Sequence, residues 1–206
     1  DIAAGIGNRM VRHEDQTTMR VILAAMLLLL FPLGAWADAF SDAAGTYRVQ
    51  PNSKIRFSVA QAGGQAIEGG FARFKGTFQL DGRDVGRSRV DIVIDAGSVT
   101  AADPRIEQFI MSPAVFDAAR HPAIRFMSTA VHGDGQKTAG LEGQLTAKGR
   151  TRPARFSVEL VQQRGNTLTF HVTGKLSRAL FGMDVGTPIY SNMVVLDMML
   201  VGRKTP

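Results

Sequence analysis

From about Tyr47 to the C-terminus, apolar and polar residues alternate with a period of two. Ile55, Phe57 and Val59 fall on one side of an extended chain, and Lys54, Arg56 and Ser58 on the other. The same alternation runs through Phe74, Phe78 and Leu80; Val90, Ile92 and Ile94; Leu141 and Leu145; Phe156, Val158 and Leu160; and Leu168, Phe170 and Val172. Strands with one wet and one dry face form antiparallel sheets. Met193–Val201 is apolar almost throughout and reads as a strand buried on both faces. Asp81-Gly82, Gly133-Asp134-Gly135, Lys148-Gly149-Arg150 and Arg164-Gly165-Asn166 supply turns between strands. About eight or nine strands follow, with no linker, repeat or low-complexity tract. A meander of that length removes its exposed edges by closing into a barrel, and eight strands leave room for one small ligand.

The period changes once, between Asp103 and Ser128. Asp103-Pro104 opens a helix with Ile106, Phe109 and Ile110 on one face. Ser112-Pro113 reads as a second helix start, a hydroxyl cap followed by a proline at the first turn. Pro122 bars continuation past His121. Strand period resumes at Ile124, Phe126 and Ser128. The expectation is a helical segment over about 103–120, lying across a β-structure as a cover.

The first 37 residues carry a different signal. Met19-Arg20, the apolar run that follows and Ala35-Trp36-Ala37 have the order of a secretory signal peptide, with cleavage near Ala37. Pro32 and Gly34 interrupt the apolar run, which favours a cleaved signal over a retained anchor. Residues 1–18 read as upstream of the translation start or misassigned, 19–37 as the signal and 38–206 as one domain. The expected compartment is the periplasm. The chain has no cysteine, so an exported domain would rely on its core alone. The formal net charge of +6 is spread along the chain and favours acidic partners only weakly.

The search for chemistry turns up little. There is no G-x-S-x-G, no S-x-x-K and no H-E-x-x-H. His121 reads as closing a helix, and Gly63-Gly64 and Gly69-Gly70 lack the strand and helix of a nucleotide site. Lys148, Arg150, Arg152 and Arg155 crowd a hairpin tip. They are either a solvated turn or a transient contact with a membrane surface or phosphate head group. No aromatic residues interleave with them as nucleic-acid binding would require. Twelve Phe and nine Met stand against one Trp and two Tyr. Inside a barrel these side chains either fill it or line an apolar slot, and both readings stay open at this point.

Five short segments, in order over nearly all of the predicted domain, resemble the YceI-like, polyisoprenoid-binding lipid-binding family. They are Tyr47–Ser53 with Ile55–Val59; Gly70-Phe71 with Phe74–Gly76; Ser112-Pro113, Phe116-Asp117, His121-Pro122 and Ile124–Ser128; Gly143–Thr146 with Gly149, Thr151 and Pro153; and Arg178 with Phe181–Met183. The resemblance implies an extended antiparallel eight-stranded lipocalin-like barrel around an apolar tunnel. It also implies an isoprenoid ligand such as a quinone or a polyprenyl phosphate, export to the periplasm, and no catalytic residues. The family's acidic G-D-E-V run is replaced here by Tyr190–Val194, so the ligand's head group does not carry over.

The expected function is therefore non-enzymatic binding, storage or transport of a long apolar isoprenoid lipid, with no cofactor, catalytic residue or metal. Alternation and resemblance together nominate the wall residues Phe57, Phe74, Phe78, Ile92, Ile94, Ile124, Phe126, Leu145, Phe156, Val158, Phe170, Phe181 and Met183. Phe109, Met111 and Phe116 are nominated on the covering segment. Partners are expected to be the isoprenoid lipid and, transiently, a membrane surface; nucleic acid is not expected, and a homodimer is left open. Two rival readings remain. One is a filled barrel acting as a structural or stress-related interaction protein. The other is a lipid-modifying enzyme using His132, His171 or Asp134, whose mark would be a histidine bonded to a carboxylate inside a cavity.

Overall fold

The computed structural model of the chain describes residues 43–134 and 137–206. The readings of 1–18 and of the signal at 19–37 lie outside these residues. Eleven strand segments form one sheet: β1 (Gly45–Val49), β2 (Lys54–Gln61), β3 (Ile67–Phe71), β4 (Phe74–Leu80), β5 (Arg89–Asp95), β6 (Val99–Ala101), β7 (Ala123–Gly133), β8 (Thr138–Ala147), β9 (Arg150–Arg164), β10 (Thr167–Ser177) and β11 (Tyr190–Lys204). The register reduces them to eight long strands. β1 and β2 pair with successive stretches of the same edge of β11. β4 and β3 pair in turn with β1 and β2, and β5 and β6 with β4 and β3. The first three long strands are each bent once, and the first meets the last, closing an eight-stranded antiparallel barrel.

Buried serines repair the ladder at these bends, where a strand leaves its partner and strands backbone groups. Ser53, 6% exposed, donates its hydroxyl to Val201 O (3.3 Å) and accepts from Val201 N (2.9 Å). Ser98, 4% exposed, donates to Asp95 O (2.7 Å) and accepts from Arg73 N (3.0 Å). A hydroxyl both donates and accepts, so one side chain replaces a missing rung without leaving a buried polar atom unpaired.

The inward face follows the two-residue period. In β8 the buried residues are Ala139, Leu141, Gly143, Leu145 and Ala147; in β10 they are Leu168, Phe170 and Val172. At one end, here called the base, the barrel is packed solid. Leu168 is fully buried, and the Tyr47 ring stacks on Phe78 at 5.0 Å, which meets Phe170 edge-on at 5.3 Å. Tyr47 also donates its hydroxyl to Ala43 O (2.8 Å), and burial raises its pKa.

The other end, the mouth, departs from regular sheet. β6 pairs with β3 but not with β7, leaving a gap between the third and fourth long strands. The helix α1 (Pro104–Met111) and residues 112–122 fill it. Asp103 caps α1 by accepting from Arg105 N (2.9 Å). The helix is shorter than the expected 103–120. Ser112 ends it, with ψ of 165° and its hydroxyl donating to Phe109 O (2.7 Å). The reason is Pro113, whose ring pushes the residue before it out of the helical region. Ser112-Pro113 is therefore a stop signal, and 113–121 continues as turns. Asp117 there has φ of 50°, a conformation Asp tolerates better than most residues. β11 also differs from the expectation of a strand buried on both faces. Its outer face is not buried, since Met193 and Val195 are 44% and 41% exposed. Among the described residues no element packs on that side of the wall, and within Met193–Val201 it is Val194, Leu196, Met198 and Leu200 that turn inward.

Candidate functional site: an apolar tunnel

Between the packed base and the mouth the barrel is hollow. The cavity measures about 730 Å³. Inner-face residues of all the long strands line it, together with α1 and the segment behind it. That volume is in the range of small-molecule sites, and the barrel is not filled by its own side chains.

Aromatic rings in a small barrel would normally fill it. Here glycines let the rings lie flat along the wall. Phe57 stands opposite Gly69 in the register, and Phe156 opposite Gly174. A Cβ added at Gly174 would stand 2.5 Å from the Phe156 ring; at Gly143 it would stand 2.6 Å from the Phe126 ring, and at Gly202, 2.0 Å from the Phe78 ring. Each ring thus occupies the space over a missing side chain, on the adjacent strand for Phe57, Phe126 and Phe156 and across β1 for Phe78. Phe126 and Phe156 also meet edge-on at 5.1 Å. These pairings stiffen the wall and keep bulk out of the lumen.

Fourteen of the sixteen nominated residues line this cavity: Phe57, Phe78, Ile92, Ile94, Phe109, Phe116, Ile124, Phe126, Leu145, Phe156, Val158, Phe170, Phe181 and Met183. Phe74 and Met111 do not. Phe74 follows the β3–β4 bend and lines a separate wall cleft of about 280 Å³ with Val93, Ile94 and Pro122. Met111 is the last residue of α1, one position past Ile110, and the helical turn carries it off the cavity face. Phe116 lines the cavity from the non-helical stretch, its ring edge-on to Phe71 at 5.9 Å. Leu196, Met198 and Leu200 of β11 also belong to the wall. The sequence hid them because the outward residues between them are also largely apolar. Phe71 and Tyr190 were missed because each stands at a strand end, where alternation is too short to read.

Among the described residues, six polar side chains line the cavity: Gln61, Ser88, Asp103, Arg105, Arg178 and Tyr190. Ser88 is at the base, where its hydroxyl accepts from Asp81 N (3.1 Å). The other five are at the mouth, and the two cations among them are hydrogen-bonded within the protein. Arg105 grips Asp103 through Nε and Nη2, with Nη2 2.7 Å from Oδ2, and the guanidinium holds the Asp103 pKa below its ordinary value. Arg178 spends all five donors on the loop joining β10 to β11 and on the first two residues of β11. Nε donates to Ser191 O (2.9 Å), Nη1 to Met183 O and Val185 O (3.0 Å), and Nη2 to Thr187 Oγ1 (3.3 Å) and Tyr190 O (3.0 Å). Burial lowers its pKa, an effect opposed by nearby Asp184. Lys148, on the β8–β9 turn (φ of 47° at Lys148 and 70° at Gly149), donates to Ala114 O (3.3 Å) and Gly182 O (2.9 Å). It ties the covering segment to the β10–β11 loop.

The enzyme reading had a geometric mark. His171 Nε2 does stand 3.3 Å from Asp197 Oδ2, but both residues are on the outer phase of their strands and neither lines the cavity. His132 and Asp134 are exposed at the base end.

Comparisons with known proteins agree with this architecture. The sequence profile of the YceI-like domain matches residues 47–202. A UPF0312 protein of Vibrio parahaemolyticus is 30% identical over 174 residues, covering 81% of this chain and 89% of that one. Burkholderia cenocepacia BcnA superposes with a TM-score of 0.69 at 25% identity, over 74% of this chain and 98% of its own. A polyisoprenoid-binding domain from Saccharophagus degradans, implicated in plant cell wall breakdown, superposes with a TM-score of 0.60 at 14% identity, over 79% and 99%. The profile match spans the barrel from β1 to β11, and the chain belongs to the YceI-like domain family.

Proposed function

We propose that this protein binds and carries a long apolar lipid of the isoprenoid class, with its chain in the tunnel and its head at the mouth. The observation that carries the reading is the asymmetry of the cavity, which is apolar down to a closed base with its polar groups gathered at the open end, Ser88 alone excepted. A lipid enters such a site tail first. Burial supplies the affinity, at about 25 cal/mol per Å² of apolar surface, less the cost of ordering a flexible chain. The polar groups that line the cavity favour a small neutral head of the quinone kind over a phosphate, since Arg150 and Arg152 stand at the rim outside that lining. The lining cations are already bonded to Asp103 and to the β10–β11 loop, which leaves Gln61 and Tyr190 as the polar groups to meet the head. The periplasm is the proposed compartment, on the strength of the signal-like run at 19–37.

The test is mass spectrometry of organic extracts of protein exported to the periplasm, together with uptake of added long-chain quinone. Wild-type protein is expected to yield a prenyl lipid or to take up the quinone. Gly174→Leu should lower uptake at least about tenfold, because the new side chain or the displaced Phe156 ring occupies the lumen. Gly140→Leu, where an added Cβ meets only ordinary contacts at 3.9 Å, should leave it unchanged. No prenyl lipid and no quinone uptake in the wild type would reject the carrier reading.

A further inference from the structure

Large apolar side chains stand exposed around the mouth. Leu180 is 51% exposed, Val185 39% and Ile189 56%, all on the β10–β11 connection; Met193 follows at the start of β11, and Phe109 projects from α1 at 44%. Phe109 and Val185 also line the cavity, so the exposed rim runs continuously into the tunnel wall. The rim is held in shape by the five bonds of Arg178 and by Ala62 N donating to Ile189 O (2.9 Å).

Cations accompany it. Arg150 and Arg152 share the inward phase of β9 at its mouth end, and the Arg150 guanidinium lies against Gly182. Lys175 is exposed and pairs in register with Val195. None of the three is paired with a carboxylate among the described residues. The loop's own carboxylate, Asp184, is offset by Arg178 beside it.

An apolar rim beside unpaired cations, with the cavity opening at its centre, matches the chemistry of an anionic bilayer surface: acyl chains beneath, negative head groups around. We propose that the mouth docks on anionic lipid bilayers, so that the ligand passes between bilayer and tunnel without crossing water. The transfer step rests on the lipid-carrier reading; the docking surface does not.

Co-sedimentation with vesicles tests it, using phosphatidylcholine alone and phosphatidylcholine with phosphatidylglycerol, at low and high salt. Binding to the anionic vesicles is expected, weakened by salt. The double variant L180D/I189D should bind about tenfold or more weakly, because two charged side chains replace apolar ones at the interface. Neither residue lines the cavity, so quinone uptake in solution should stay at the wild-type level. Lys175→Ser, on an outer strand face, should also weaken vesicle binding and serves if the loop variant fails to fold. Wild-type protein that ignores anionic vesicles would overturn docking even where lipid is carried; capture of a protein partner in place of vesicles would do the same. Vesicle binding without any bound lipid would instead reject the carrier reading and leave docking intact.

Discussion

Replacing Phe116 with aspartate is expected to weaken lipid retention by about 30- to 150-fold while costing the fold less. The ring is half-buried, edge-on to Phe71, and faces the cavity. With a chain in the tunnel, a carboxylate there faces an apolar ligand without a hydrogen-bond partner, at a cost of about 2–3 kcal/mol. Without a ligand the same carboxylate can be hydrated from the mouth, and the fold loses mainly the aromatic contact, about 1 kcal/mol. Quinone titration and thermal unfolding on the same preparation separate the two. Equal losses in both would make residues 112–122 ordinary core rather than the cover of a binding site.

Arg178→Ala should give the largest loss of stability of any single change at the mouth. Its side chain bonds four backbone carbonyls, two in the β10–β11 loop (Met183 and Val185) and two at the start of β11 (Tyr190 and Ser191). Truncation leaves those acceptors to find water or the loop to unravel. A cost of about 2–4 kcal/mol is expected, since bonds from a charged donor are individually strong but not additive. For a domain of this size that is a fall in Tm on the order of 10 °C. Arg178→Lys should recover little of it, because an ammonium lacks the planar fork that reaches carbonyls on both sides. Full rescue by Lys would mean that charge, not geometry, holds the loop. Lipid binding should weaken as well, since Val185 and Tyr190 of the same stretch line the cavity.

The barrel was legible from alternation because nearly every strand has one wet face, and inward residues such as Phe57, Phe126, Phe156 and Phe170 could be picked by period alone. β11 was the exception. Its outward Met193, Val195 and Met199 imitate a buried strand, and so concealed a wall of the tunnel. The end of the helix was also in the sequence, but it depended on reading Pro113 through its effect on Ser112 rather than through its own preference for a first turn. Hollowness was not legible. Whether a Phe fills or lines a barrel depends on what stands across from it on the next strand. The pairs Phe57–Gly69 and Phe156–Gly174 become visible only once the register is known. The role of Arg178 was hidden for the same reason, since four of its five partners are backbone carbonyls, which no residue pattern records.

In the carrier reading a lipid chain occupies the lumen tail first. Paramagnetic broadening of backbone amide signals by a long-chain quinone analogue carrying a spin label on its head measures this directly. Strong broadening at Gln61, Arg105 and Tyr190, with Leu80, Ser88 and Leu168 unaffected, is the expected result. Broadening concentrated at the base, or spread over the outer wall with the lumen untouched, would contradict it.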